Sequence, residues 1–197
     1  MIELWSWPAP QGRPVHILLE ETGLPYSLMP VDTRAAAQID QDFLGITANY
    51  RIPAIVDPQA GHGRLQLAEP GAILIYLAEK AGNFIPTEAE ARFSCLQWLM
   101  FSLGGLAPAL QHDAPMGAEA GRNLAELRRL LNVLEQRLQA EDYLAGIYSI
   151  ADMAAYPWIA AVQAIDLESF PATRRWADRL ANRPAVGRGM TLMRELQ

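Results

Sequence analysis

A chain of 197 residues, 51% of them hydrophobic, is long enough to bury a sizeable core in one large or two small domains without a metal or a disulfide to hold it together. Its formal net charge of −6 argues against nucleic acid as a general partner, because phosphate binding draws on clustered Lys and Arg. No apolar run approaches the ~20 residues of a membrane span, and Met1-Ile2-Glu3 leads straight into a strand rather than a secretory signal, so the expected setting is the cytoplasm, away from membranes.

In chain order, Ile2 to Trp5 reads as a strand, Pro14 to Thr22 as a helix with proline near its first position and Gly23 at its end, and Tyr26 to Val31 as a second strand. An irregular helix around Gln41 to Leu44 follows. A third strand starts behind Pro53 in RIPAIVD, and beyond the turn Asp57 to Gly63 the alternation of Leu65 and Leu67 marks a half-buried fourth. Ala72 to Ala81 is a helix stopped by Gly82, and Pro70 suits a first helical position. This order is that of a four-stranded α/β domain of thioredoxin-like type over residues 1–82.

Past Pro86 the strand signals stop. Residues 89–110, 119–140, 150–166 and 172–182 carry helical apolar spacing, broken at Gly104-Gly105, Pro108, Pro115, Gly117 and Pro171. In the second of these, Leu124, Leu127, Leu131, Leu134 and Leu138 mark one face, with Glu126, Arg128, Glu135 and Arg137 off it. Residues 87–197 are therefore expected to form an all-α bundle with one wet side. Within it, Ser149-Ile150-Ala151-Asp152 ahead of an apolar run reads as a capping box: Ser149 accepts from the Asp152 N–H, and Asp152 reaches back to the Ser149 N–H.

The chemistry centres on Pro53. An X-Pro bond is the one peptide bond that adopts cis at modest cost, and a cis bond here would turn the Ile52 N–H and C=O away from the sheet, free to pair with an extended peptide. An ordinary trans proline at a strand start is the other reading of the same spacing. A thioredoxin-like domain with its own redox pair carries Cys-x-x-Cys at the first strand-to-helix turn, whereas this turn is Ser6-Trp7-Pro8-Ala9. The lone Cys95 lies in an apolar helix and reads as a small buried hydrophobe, so any thiol chemistry uses a thiol supplied by a ligand. His16, His62 and His112 are scattered and make no metal set with Cys95.

LWSWPAPQGR near the start, DFLGITANYRIPAIVD, EPGAILIYLAEK, LQWLMFSLGG and YLAGIYSIADMAAYPW together resemble the cytosolic glutathione transferase family over nearly the whole chain, with most similarity to its Nu-class, bacterial disulfide-reductase-like branch. The resemblance implies the glutathione transferase fold, glutathione as co-substrate with no metal, and a twofold homodimer. It places the cysteinyl part of glutathione on the main chain of Ile52 beside Pro53, and the γ-glutamyl end at Glu69 and Pro70, where the branch has an acidic residue and a serine. The branch also has Pro-Thr-Pro-Asn-Gly at the first turn, where this chain has Pro8-Ala9-Pro10-Gln11-Gly12. Gln11 can still donate to the thiolate, Ala9 cannot, and Ser6 is a candidate replacement hydroxyl unless strand alternation turns it inward. Gln38 matches a ligand-contacting glutamine, and Arg51 is placed to attract the glycine carboxylate.

Two functional classes follow. In one, a glutathione-dependent transferase or disulfide reductase binds glutathione, or a related small acidic thiol, beside an apolar second substrate held near Trp5, Trp7, Trp98, Met100, Phe101, Met116 and Trp158. In the other, the fold is kept for binding or regulation and the thiol site is disabled, a pattern that stringent starvation proteins resemble. The substitutions Ala9, Gln11 and Pro70 favour the second class, and the overall resemblance favours the first.

Overall fold

The computed structural model describes residues 1–32, 41–61, 63–111, 118–161 and 167–196. The chain divides into two compact units, one of Met1–Asn83 with Pro184–Gln197 and one of Phe84–Arg183. The sequence division assigned 184–197 to the helical part, and the structure gathers these residues with the first unit instead.

The first unit is built on four strands, β1 (Ile2–Ser6), β2 (Tyr26–Pro30), β3 (Ala54–Asp57) and β4 (Leu65–Ala68), in the order β2-β1-β3-β4. β1 and β2 are parallel, joined through helix α1 (Arg13–Thr22), while β1/β3 and β3/β4 are antiparallel. Helix α2 (Gln41–Ile46) and helix α3 (Pro70–Ala81) complete the expected order. Alternation along the strands divides the core in two. Trp5, Ala54 and Val56 pack with Val31 and Phe43 on one face, and Leu4 and Ile55, opposite each other in the register, take the other face. The apolar stripes of α1 (Val15, Ile17, Leu18, Leu19) and α3 (Ile73, Leu74, Leu77, Ala78) are fully buried. Both helices end on a left-handed glycine, Gly23 at φ 65° and Gly82 at φ 67°, which closes the last turn. Asp57, at the end of β3, accepts from the Tyr76 hydroxyl (2.6 Å), the Gln59 amide (2.8 Å) and Lys80 Nζ (2.8 Å), tying the β3–β4 turn to α3. Burial alone would raise this carboxyl, and these partners outweigh burial and hold it below its ordinary value.

Helix α9 (Pro184–Thr191) was not expected from the sequence. It packs on α1, with Gly189 so close that a β-carbon there would stand 2.6 Å from the Ile17 Cα, and with Arg188 Nε donating to Glu20 at 2.6 Å.

The second unit comprises α4 (Ala89–Phe101), a π-helical turn at Ser102–Leu106, α5 (Ala107–Gln111), α6 (Ala118–Ala140), α7 (Ile150–Ala161) and α8 (Pro171–Ala181). The reading of 150–166 as helix holds as far as Ala161, and 162–166 lie outside the described residues. The Gly pair sits in the π-helical turn. Only Gly105 approaches another helix, with its added β-carbon position 3.5 Å from Leu130, while Gly104 faces open space. On α6, Leu127, Leu131, Leu134 and Leu138 are buried as expected, whereas Leu124 is exposed and Glu135 is not.

Glu135 has a reason to be inside. Phe170, which precedes α8, offers no side-chain cap, and the Glu135 carboxylate accepts instead from the Ala172 N–H, the Thr173 N–H and the Thr173 hydroxyl, all at 2.9 Å. The capping box at α7 is half as expected. The Ser149 N–H donates to Asp152 Oδ2 at 3.0 Å, but Ser149 Oγ accepts from the Ala151 N–H (3.3 Å) and itself meets Asp152 Oδ2 (3.2 Å). Asp152 also takes the Leu144 N–H and the Trp176 indole N–H, and burial pushes its carboxyl up to about 6 against those donors. Cys95 is fully buried, and burial pushes its thiol up, as suits an inert structural sulfur.

The sequence offered no span-length apolar run, yet the helical stretch Ala89–Gln111 is 23 residues long and, by length and composition alone, apolar enough to cross a membrane. Core helices of helical bundles pass the same test, and here a third of the apolar window is buried within the chain.

Candidate functional site

The sheet register assembles one end of the first unit. Trp5 pairs with Ala54 and Ala54 with Ala68, so the end of β1, the start of β3 and the end of β4 lie side by side. One residue beyond each strand, this brings the first turn, Ile52-Pro53 and Glu69-Pro70 to the same edge. The local sequence dictates the rest. Pro53 cannot donate to a ladder and so marks the strand start, and Pro70 presets the first helical φ of α3.

The Ile52-Pro53 bond is cis, the first of the two alternatives the spacing allowed. The Ile52 side chain packs against the Trp5, Val31, Phe43, Ala54 and Val56 cluster, which fixes it from below. Its main-chain N–H and C=O make no hydrogen bond to another described residue. Buried backbone groups are nearly always paired, so an unpaired, half-buried pair at a sheet end is an edge ready for an added strand.

Glu69 holds φ 69° and ψ 117°, a region that non-glycine residues rarely occupy and that costs on the order of 1–3 kcal/mol. Its side chain is exposed and makes no capping bond to α3. Behind it, Pro70 has no N–H, and the Ile73 N–H already bonds the Glu69 carbonyl, which leaves the Gly71 and Ala72 N–H groups unbonded within the described residues. With no acidic residue in the first turn of α3, those donors and the helix dipole favour an anion.

In the first turn, Gly12 sits where a β-carbon would meet Ser6 Oγ at 2.4 Å and the Trp7 carbonyl at 2.8 Å, so only glycine lets the turn close. Gln11 is half-buried, with Oε1 buried and lacking a hydrogen-bond partner. Ser6 is a correction. It shares the strand parity of Ile2 and Leu4, is fully buried, and its hydroxyl bonds His16 Nε2 at 2.8 Å, so it does not face a ligand. His16 itself is driven down to about 4, mainly by burial, against the opposing pull of the Gly189 main chain, and is therefore neutral near pH 7. Nothing in the sequence spacing joins Ser6 to His16; only the fold of β1 against α1 does. Arg51 is exposed next to Tyr50, which takes φ 49° and stacks edge-on against Phe43. Gln38 and Met116 lie outside the described residues. Of the residues considered for a second substrate, Trp5 and Trp158 are buried, while Trp7, Trp98 and Phe101 are half-buried and Met100 is exposed.

The domain description "Glutathione S-transferase, N-terminal domain" matches residues 1–79, and "Glutathione S-transferase, C-terminal domain" matches residues 98–184. The chain belongs to the glutathione transferase family. Within that family its similarity runs to the Nu-class disulfide-bond oxidoreductases. It is 42% identical to the disulfide-bond oxidoreductase YfcG of Escherichia coli, over 96% of this chain and 94% of that protein. Among solved structures, a glutathione transferase family member from Pseudomonas fluorescens with two glutathione bound superposes with a TM-score of 0.90 at 37% identity, covering 96% and 92% of the two chains. A glutathione transferase from Pseudomonas putida with one glutathione disulfide per subunit gives a TM-score of 0.90 at 34% identity, covering 97% and 91%.

Proposed function

We propose that the protein is a glutathione-dependent disulfide reductase whose glutathione lies along the Ile52 main chain. The single observation that carries this reading is the unbonded Ile52 N–H and C=O beside cis-Pro53, at the same sheet end as the open N-terminus of α3. The cysteinyl residue of glutathione adds to that edge. Glu69 accepts from the γ-glutamyl ammonium, and the Gly71 and Ala72 N–H groups take over the carboxylate that Pro70 cannot bind. Gln11 donates its side-chain amide to the sulfur, and Arg51 attracts the glycine carboxylate.

The chemistry is thiol–disulfide exchange. The bound thiolate attacks one sulfur of a disulfide, the second sulfur leaves as a thiolate and takes a proton, and a second glutathione attacks the mixed disulfide to release glutathione disulfide and the remaining thiol. The relatives solved with two glutathione molecules and with glutathione disulfide fit the reactants and product of that sequence. Cys95, buried and with its thiol raised, takes no part. The expected assembly is a homodimer and the expected setting the cytoplasm.

A second reading, a binding protein without glutathione chemistry, rests on Pro70 and Ala9, which remove two hydroxyls and a main-chain N–H from one ligand site. Isothermal titration with reduced and oxidised glutathione, followed by turnover of a small aliphatic disulfide, separates the two. Micromolar to low-millimolar binding with turnover supports the reductase, and no binding at high millimolar concentration supports the binding protein.

A further inference from the structure

We infer that Ser6 and His16 are positioning residues for the proposed glutathione site: their buried hydrogen bond fixes the first turn from beneath and so sets where the Gln11 amide stands. The inference rests on the reading of Gln11 as the donor to the glutathione sulfur.

β1 ends at Ser6 and α1 begins at Arg13, so the turn that carries Gln11 is strung between two rigid ends. Its own hydrogen bonds are internal: the Ala9 N–H donates to the Trp7 carbonyl at 2.7 Å, and the Gly12 and Arg13 N–H groups both donate to the Ala9 carbonyl. Below the turn, the 2.8 Å bond between Ser6 Oγ and His16 Nε2, both side chains fully buried, ties the two ends together. Gly12 rests on that pair. A β-carbon on Gly12 would stand 2.4 Å from Ser6 Oγ and 3.3 Å from His16 Nε2, so the main chain next to Gln11 lies directly against both partners.

The Gln11 amide has no bond of its own to fix it. Its Oε1 is buried without a hydrogen-bond partner, and among the described residues no hydrogen bond holds the side chain. Its place is therefore set by packing and by the main chain it leaves, which Ser6 and His16 support. Burying a hydroxyl and an imidazole together gains little net stability over an apolar pair of the same shape, whereas a directional bond holds two elements at one spacing where apolar packing admits several. Fixed spacing is what a side chain aimed at a reacting sulfur needs.

The test compares the native chain with Ser6→Ala/His16→Leu, which removes both partners and leaves no unpaired polar group, and with His16→Gln, which keeps a hydrogen-bonding partner for Ser6. Ser6→Ala alone, the smaller change, is expected to act in the same direction and serves where the double variant does not fold. In the ligand-free protein, 15N relaxation of the Gln11 and Gly12 amides should show order parameters falling from about 0.85 toward about 0.6 in the double variant and staying high in His16→Gln. With reduced glutathione, ultraviolet thiolate absorbance should give a higher thiol pKa for the tripeptide bound to the double variant. Turnover of a small aliphatic disulfide should lose about tenfold in kcat with the glutathione KM within about twofold, and His16→Gln should keep both near the native values. Unchanged order parameters or an unchanged bound-thiol pKa in the folded double variant overturn the proposal, as does an equal loss in His16→Gln. Absence of glutathione binding by the native chain overturns the glutathione reading instead, and the relaxation measurement alone then decides whether the pair positions Gln11.

Discussion

A proline at the first position of α3 serves the helix and not an anionic ligand, because its ring presets φ while removing one of the donors a carboxylate would use. Pro70→Ser combined with Ala9→Thr should therefore tighten glutathione binding about tenfold or more, since each hydrogen bond to a charged group is worth roughly 1.5–3 kcal/mol. Unchanged affinity on calorimetry, in a protein that binds, would remove this account of the two positions. His16 makes a prediction of opposite character. Its folded pKa is lowered from 6.5 to about 4, so the unfolded chain takes up its proton first as pH falls. The stability from a neutral His16 is complete above pH 6.5 and is lost as pH falls toward 4, at up to about 1.4 kcal/mol per pH unit. Urea unfolding across that range should show the slope in the native chain and a shallower one in His16→Gln, which keeps a donor for Ser6 without the titration. The cis Ile52-Pro53 edge was legible in the sequence because it belongs to a short motif with a local physical reason. Ser6 was not, because its partner stands ten residues away on another element.

Among the elements, α8 depends on a cap supplied from another helix. Glu135→Ala leaves two helix N–H groups and a buried hydroxyl without acceptors and should cost about 3 kcal/mol in denaturant unfolding. The helical apolar spacing placed Glu135 off the apolar face of α6, since a sequence pattern registers the side chain's polarity and not the helix end it serves. The same limit hid α9. Pro184-Ala185-Val186-Gly187-Arg188-Gly189 has weak helix propensity, and its helix is held by contact with α1 that only a glycine at 189 permits. Gly189→Ala, a gain by intrinsic propensity, should instead destabilise the first unit by about 1–3 kcal/mol, because the added methyl overlaps the Ile17 backbone. A rise in melting temperature would show that α9 sits less tightly than described.

On the scale of the whole molecule, the division into an α/β unit and a helical unit was legible because hydrophobic period changes from two to 3.6 residues near Pro86. What the period does not reveal is which exposed apolar positions the proposed second copy would cover. Phe93 and Met100, seven residues apart on α4, are 68% and 55% exposed in the single chain. The proposed homodimer should therefore dissociate in Phe93→Glu/Met100→Glu, read as a halved mass by light scattering with an unchanged far-ultraviolet spectrum. The return of residues 184–197 to the first unit also has a bearing on biosynthesis. The unit that carries the ligand edge is completed only by residues translated after the whole helical unit, so a nascent chain stalled before Pro184 would expose an unfinished α1 surface.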